Sequence, residues 1–577
     1  MKKLIWITGI LLIFISPYGY SQISEELADP LRNWEKVPDG LNASITSIDK
    51  RYSKNDIPFV KQRSSCEVTG WKGEKLSAQL LLWSATYIEQ VECTIPDFTS
   101  ADNILPAKVA QARFVGYVMT DEFGPGCGYR KPEDFPASLS ADMLDNIKSF
   151  NIQAKTVRPV WLTINIPRDA KAGTYKSKIK VTAKGENPQE FDITLNVQNR
   201  VLPPAKEWAY HLDLWQHPSA VARAQNLKLW SEEHFAAMKP LMKMLADAGQ
   251  KVITTNVNKD PWNVQTFDPY ADMIIWTKDK KGKWSYDYTI FDKWVTFMMD
   301  LGIDKMINCY SMVPWNNELN YYNAATSETI TVKADPGTNE FEEMWGPFLT
   351  DFIKHLRGKG WLQKTNIAMD ERSPKEMEAT IAFLQKTAPE LGISLADNHN
   401  SYKKYPFIKE ISVSADAKVD SADIAMRREK GLITTYYVCC SDKFPNVFTF
   451  SDPAEAVYSA WYALAADYDG YLRWAYNSWV ENPLADSRFR TWPAGDTYIV
   501  YPEARSSIRF ERLVEGIQDV EKIRILRKEL KELNTKESLE KLAKLNGEVA
   551  RFNTISPLKS PDIMLNRAKD VINELSK

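Results

Sequence analysis

Two acids stand side by side, Asp370 and Glu371, at the end of the stretch TNIAMDE (365–371), and Ser373, Pro374 and Glu376 follow at once. Ser at a cap position, Pro at the first helical position and Glu three residues past the cap form a capping box, so a helix is expected to start there. The acid pair then sits on a strand-to-helix turn. Neighbouring carboxyls oppose joint ionisation, so one should keep its proton to higher pH while the other stays charged. A protonated carboxyl can give its proton to a leaving oxygen, and a charged one can balance positive charge. The helix N-terminus favours the ionised form of whichever group points at it. A helix start beside a surface acid would leave the same two letters. Geometry adds a condition: successive residues of an extended strand face opposite sides, so both acids reach one substrate only if the strand has ended or bulged.

These properties suit acid-assisted cleavage of a glycosidic bond. Ordinary retaining glycosidases hold two carboxyls about 5–5.5 Å apart across the bond. An adjacent pair suits substrate assistance better, with a sugar 2-acetamido oxygen as the nucleophile. One acid then orients the acetamido group and balances the oxazolinium charge, and the other is acid, then base.

The elements that must carry the pair read as strand–helix alternation from about 208. Candidate strands are 210–215, 251–257, 305–311, 365–371, 393–398, 411–415, 432–440 and 470–478, with short, irregular connections around the sixth. Helical stripes lie between them, among them Phe235, Met238, Leu241, Met242, Leu245 and Phe341, Met344, Trp345, Phe348, Phe352. Eight strands in this order predict a (β/α)8 TIM-type barrel over 205–505, whose active site forms at the C-terminal strand ends. A doubly wound open sheet is the alternative. Strand ends offer polar and aromatic groups for sugar hydroxyls and faces: Asn256, Tyr310, Asp397, Asn398, His399, Tyr436, Trp474, Asn477 and Trp479. The long loops 258–288 and 312–340 hold Trp262, Trp276, Trp284 and Trp315, either as binding residues or as loop anchors.

Upstream, 22–204 alternates with period two at 160–166, 175–181 and 191–197, which predicts an antiparallel β-sandwich. Pro203 and Pro204 read as a stiff linker. Residues 506–577 read as a C-terminal helical segment whose Lys/Glu runs form a solvated face. At the other end, Lys2, Lys3 and the apolar run 4–15 precede Ser16, Pro17 and Gly19, the pattern of a secretory signal peptide over 1–21, cut between Ser21 and Gln22. The protein is expected to be exported, periplasmic or secreted, with no membrane span after cleavage.

The 577 residues carry a net charge of −2, which supplies no field for nucleic acid. Apolar residues at 44% and charged residues at 26% fit a multidomain globular chain. Six cysteines permit disulfides after export, and a bridge among Cys66, Cys93 and Cys127 is conceivable, though pairing is not legible in sequence. Five histidines without metal-ligand spacing point to no metal and no cofactor.

The chain resembles glycoside hydrolase family 123 through RPVWLTINIPRDAKAGTYKSKIKV (158–181), MDERS (369–373), GYLRWAYNSW (470–479), GDTYIVYP (495–502) and SSIRFERLVEGIQDVE (506–521). The resemblance implies a retaining, exo-acting β-N-acetylgalactosaminidase. Asp370 would orient the acetamido group and Glu371 would be general acid/base. Trp474, Asn477 and Trp479 would serve substrate binding, and Asp496 and Tyr498 would reach the pocket. The implied partner is a glycan or glycoconjugate with a terminal N-acetylhexosamine. A glycosidase for another sugar and a non-catalytic carbohydrate-binding protein are the alternatives.

Overall fold

The period-two run at 160–166 lies in the strand Thr156–Asn165, which pairs antiparallel with Lys75–Ser84 and Ala110–Asp121 in a five-stranded sheet. Gly173–Thr182 and Gln189–Val201 pair in a facing seven-stranded sheet. Val160, Leu162 and Ile164 meet Tyr175, Ile179, Ile193 and Leu195 in one buried core between the sheets. One pairing departs from antiparallel: Ser65–Lys72 runs parallel to Gln189–Val201. These features come from a computed structural model, which describes residues 33–577 apart from 122–126, 129, 130, 132, 134, 264, 491, 557 and 559. The expected signal segment 1–21 lies outside the described residues.

All eight candidate barrel strands form: His211–Leu214, Val252–Asn256, Met306–Tyr310, Thr365–Asp370, Gly392–Asp397, Glu410–Ser414, Ile433–Tyr437 and Gly470–Arg473. They run parallel in chain order, with the first beside the eighth. The first and second strands approach through the Lys251 N–H, which donates to Leu212 O at 3.0 Å. The result is a nearly closed barrel rather than an open sheet. Helices follow most strands, but only the short turn Ser401–Lys403 links the fifth to the sixth.

Barrel strands are covered on both faces, and inward and outward residues still alternate. Ile307, Cys309, Ile367, Met369, Leu395, Val413 and Tyr436 join the large core beneath the helices. Their alternates Tyr310, Ala368, Ala396, Tyr437 and Leu472 gather inside, with Trp215, Trp262 and Tyr270. This inner cluster is the floor of the barrel mouth. The loops 258–288 and 312–340 carry a four-stranded sheet built from Ile275–Lys278, Trp284–Asp287, Glu318–Asn323 and Glu328–Lys333.

The long helix Ile508–Leu533 packs on Pro453–Ala465. Gly516 permits the approach, since an added Cβ would stand 2.7 Å from Val457 O. The expected solvated face holds only late in this helix and beyond, where Lys528 and 531–537 are exposed. Its first half is a correction: Arg509, Glu511, Arg512, Asp519 and Lys522 are buried. Glu511 pairs with Arg113 at 3.1 Å and Lys75 at 2.5 Å, Lys522 with Glu74 at 2.6 Å, and Arg512 with Asp49. The sandwich is therefore bonded to the barrel's last helix rather than hung on a proline linker.

The cysteine pairing also differs from expectation. Cys127 bonds Cys440, 313 residues away, and Cys66 and Cys93 are free. Cys66 and Cys93 lie on strands with two others between them. At about 4.8 Å per strand that separation is too wide for a disulfide. No helix among the described residues is long and apolar enough to cross a membrane.

Candidate active site

The fourth barrel strand sends Asn366, Ala368 and Asp370 inward, and its ladder to the fifth strand ends where Asp370 opposes Ala396. The Glu371 N–H still donates to Ala396 O at 3.0 Å, after which the chain turns. Ser373 then caps the helix Pro374–Thr387: its Oγ accepts from the Glu376 N–H at 3.4 Å, and its N–H donates to Glu376 Oε2 at 3.2 Å. The capping box thus ends the strand between the two acids. Asp370 keeps the inward direction of its strand. Glu371, one residue past the last ladder pair, is free to turn back over the mouth, where the Tyr437 hydroxyl donates to its Oε1. Tyr437 belongs to the inner cluster, so both carboxyls face the same mouth.

Their surroundings are unequal. Asp370 Oδ2 accepts from the Trp262 indole N–H at 2.9 Å and from that of Trp315 at 3.3 Å. Burial among these rings pushes the Asp370 carboxyl up and the charge of Glu371 adds to it. The indole donors and the more distant Arg372 pull back only partly, leaving it at about 7. Arg372 does not neutralise the pair, because its guanidinium is turned away to Trp315 O at 3.1 Å, Asn317 Oδ1 at 3.2 Å and Glu376 Oε1 at 2.6 Å. Burial, then Glu371, raise the Tyr437 phenol, which stays a proton-bearing donor.

Aromatic rings build the wall. Trp215 lies 5.0 Å from Trp262 and 4.6 Å from Tyr310, and Trp262 lies 4.5 Å from Tyr270. Trp474, one residue past the eighth strand, packs on this cluster and meets Trp492 edge-on at 5.7 Å. Its indole N–H donates to Asp496 Oδ2 at 3.1 Å, while Arg473 holds Asp496 Oδ1 at 2.9 Å. Asn256 is buried beside Tyr310, and its Nδ2 donates to Tyr270 O at 3.1 Å. Asn398 and His399 are exposed on the rim of the neighbouring strand. Asp397 accepts from the backbone of His399 and Ser401 and closes its own turn.

Four expected binding residues lie elsewhere. Tyr436 faces outward, donates to Ser459 O at 2.8 Å and stacks on Tyr468, because the inward set of its strand is Thr435 and Tyr437. Asn477 is buried and holds both the N–H and the carbonyl of His217. Trp479 is buried with its indole on Val500 O at 2.7 Å. Tyr498 is buried, edge-on against Tyr501 and beneath Arg509. These side chains support the loops and do not line the mouth.

Sequence reasoning did not single out Tyr437, Trp215 or Trp492. Tyr437 carried no usable signal, because its strand is buried on both faces and alternation does not mark the inner one. The loop tryptophans divide: Trp262 and Trp315 reach Asp370, whereas Trp276 stacks on Phe348 at 4.3 Å in the helix layer and Trp284 meets it edge-on. Among the described residues, the sulfurs of Cys127, Cys439 and Cys440 lie close enough to hold a metal ion, but two of them form the disulfide.

Comparison with known proteins gives a consistent result. Residues 215–526 match the family description "Glycoside hydrolase 123, catalytic domain", and 45–183 match "Glycoside hydrolase 123 N-terminal domain". A solved family 123 glycoside hydrolase from Clostridium perfringens, reported with the details of glycolipid glycan hydrolysis, superposes with a TM-score of 0.83. It is 28% identical, over 93% of this chain and 97% of that one. A Bacteroides ovatus GH5 xyloglucanase (TM-score 0.30, 8% identity, 82% of this chain and 100% of that one) is too distant to carry an argument. No curated protein matches the chain.

Proposed function

The chain belongs to glycoside hydrolase family 123 and is a glycosidase, and on that premise we propose a retaining, exo-acting β-N-acetylgalactosaminidase that uses the substrate's own acetamido group. The observation that carries the reading is the convergence of Asp370 and Glu371 on one mouth with unequal partners. The neighbouring carboxyls Asp397, Asp442 and Asp496 are each held by backbone or guanidinium groups, which leaves them poor nucleophiles.

In the proposed reaction the acetamido oxygen attacks C1 while Glu371 gives its proton to the leaving oxygen. Asp370 accepts the acetamido N–H and balances the oxazolinium charge. Glu371, now a carboxylate held by the Tyr437 hydroxyl, takes a proton from the water that opens the ring, and configuration is retained. Burial and the neighbouring Glu371 charge raise the Asp370 carboxyl to about 7, so it shares in holding the pair's proton. The developing positive charge favours the Asp370 carboxylate and shifts that proton to Glu371, so the pair acts as one titrating unit. The Clostridium perfringens relative is described with glycolipid glycan hydrolysis, which supports a glycoconjugate as the substrate class, with terminal N-acetylgalactosamine as the proposed sugar. Export rests on the N-terminal basic and apolar segment, and a periplasmic or secreted form whose mass begins at Gln22 would support it.

The test is a panel of aryl β-glycosides with and without the 2-acetamido group. Turnover confined to the acetamido sugars, fastest for the galacto form and lost in Glu371→Gln, supports the reading. Equal turnover of sugars lacking the group overturns it.

A further inference from the structure

The first half of the helix Ile508–Leu533 carries charges that a barrel helix has no need to bury, and one of them reaches the active face. Arg509 Nε donates to Asp142 Oδ2 at 2.9 Å, on the sandwich strand Ala137–Leu144. Its Nη1 lies within bonding distance of three carbonyls: Val447 at 2.7 Å, Gly495 at 3.0 Å and Tyr498 at 2.8 Å. Val447 belongs to the loop after the seventh barrel strand, and Gly495 and Tyr498 to the loop after the eighth. Asp142 is further fixed by the Tyr501 hydroxyl at 2.7 Å.

Gly495 and Tyr498 bracket Asp496, which holds the Trp474 indole. Gly495 has φ +78, and an added Cβ would stand 2.6 Å from Thr449 Cγ2 and 3.0 Å from Arg509 Nη1, so glycine is what lets the loop touch the guanidinium. The sandwich grips the same two loops at other points. Thr120 and Ser140 bond Thr449, Asp121 accepts the Ala494 N–H at 3.2 Å, and Cys127 is joined to Cys440.

We infer that Asp142 and Arg509 are positioning residues for the glycosidase reaction, through which the N-terminal sandwich sets the Trp474–Asp496 wall of the substrate site. The inference rests on the proposed reading only in taking that wall as a sugar contact. Neither residue touches the reacting groups, and neither contacts Asp370, Glu371 or Tyr437. The sandwich is then part of the active site's construction and not an appended glycan-binding module.

The full mature chain is compared with Arg509→Lys, Gly495→Ala and the control Glu74→Gln, which weakens a buried interdomain pair without contacting the two loops. Arg509→Lys keeps charge but loses the fork that reaches several acceptors. Gly495→Ala moves the loop while leaving both charges paired, and it decides the matter if Arg509→Lys does not fold. KM and kcat are read well below each variant's unfolding temperature, on whichever aryl β-glycoside the wild type turns over. A wrong sugar assignment thus changes the substrate used and leaves the comparison intact. The expected result is a KM about 10-fold higher in the first two variants, with both limbs of the pH profile in place, and an unchanged KM in Glu74→Gln. A merely structural role lowers the active fraction, and so apparent kcat, without moving KM. Unchanged KM in both Arg509→Lys and Gly495→Ala overturns the inference.

Discussion

Asp370, half-buried at the barrel mouth, and Glu511, buried at the sandwich interface, are both carboxyls withdrawn from water, and they end at opposite extremes. Burial pushes each one up. At Glu511 the charges of Lys75 and Arg113 more than offset it and hold the group at about 2. At Asp370 the nearest charge is another carboxyl, the adjacent guanidinium of Arg372 is engaged by Glu376, and the group rises to about 7. The interface pairs its carboxylate with cations to fix two domains, whereas the mouth holds its two carboxyls with neutral indole and phenol donors. Unpaired buried charge is where stability is given up for chemistry.

Changes at the two sites should therefore separate activity from stability. Glu371→Gln removes the proposed acid/base and should lower kcat/KM by about 10²–10⁴-fold with little change in Tm. A similar loss in Tm would mean that Glu371 is a structural acid. Asp370→Asn should cost about 10²–10³-fold in kcat and yet raise Tm at pH 8. The sign follows from linkage. The folded pKa lies above the unfolded value, so the stability tied to the Asp370 proton is complete below about pH 4 and is lost as pH rises through about 7. Asn carries no such penalty at pH 8.

Glu511→Gln should do the reverse. It breaks a buried pair at a cost of about 3–5 kcal/mol at pH 7 and leaves KM unchanged. Its folded pKa is depressed, so the wild type's advantage is present above the unfolded value and fades as pH falls toward about 2. Thermal melts of both variants at pH 4, 6 and 8 show whether the two sites respond with opposite signs. The smallest effect is expected for Trp315→Phe. It removes one donor to Asp370 and should move the alkaline limb of kcat/KM upward by less than about one pH unit.

Much of this contrast was legible in the sequence. The eight strands, the capping box at Ser373 and the sandwich alternation follow from local pattern, and local pattern set the turn that carries Asp370 and Glu371. What escaped depends on contacts that local pattern does not encode. Tyr436 and Tyr437 are identical neighbours on a strand buried on both faces, so alternation alone does not say which points inward. Arg509 and Glu511 look like surface charges until Asp142, Arg113 and Lys75, hundreds of residues earlier, fold against them. The Cys127–Cys440 bridge spans the same two domains. The motifs at 495–502 and 506–521 gain a physical reason here, since Gly495 and Arg509 touch.

In the proposed reaction the acetamido oxygen is the nucleophile, held by Asp370, while Glu371 moves the proton. The direct measurement is kcat/KM for aryl β-N-acetylgalactosaminides whose acetyl group carries zero, one, two or three fluorines. Each fluorine weakens the carbonyl oxygen as a nucleophile without altering the leaving group. A steep, monotonic fall in rate along the series is expected if the acetamido oxygen attacks, whereas a rate indifferent to fluorine would rule that nucleophile out.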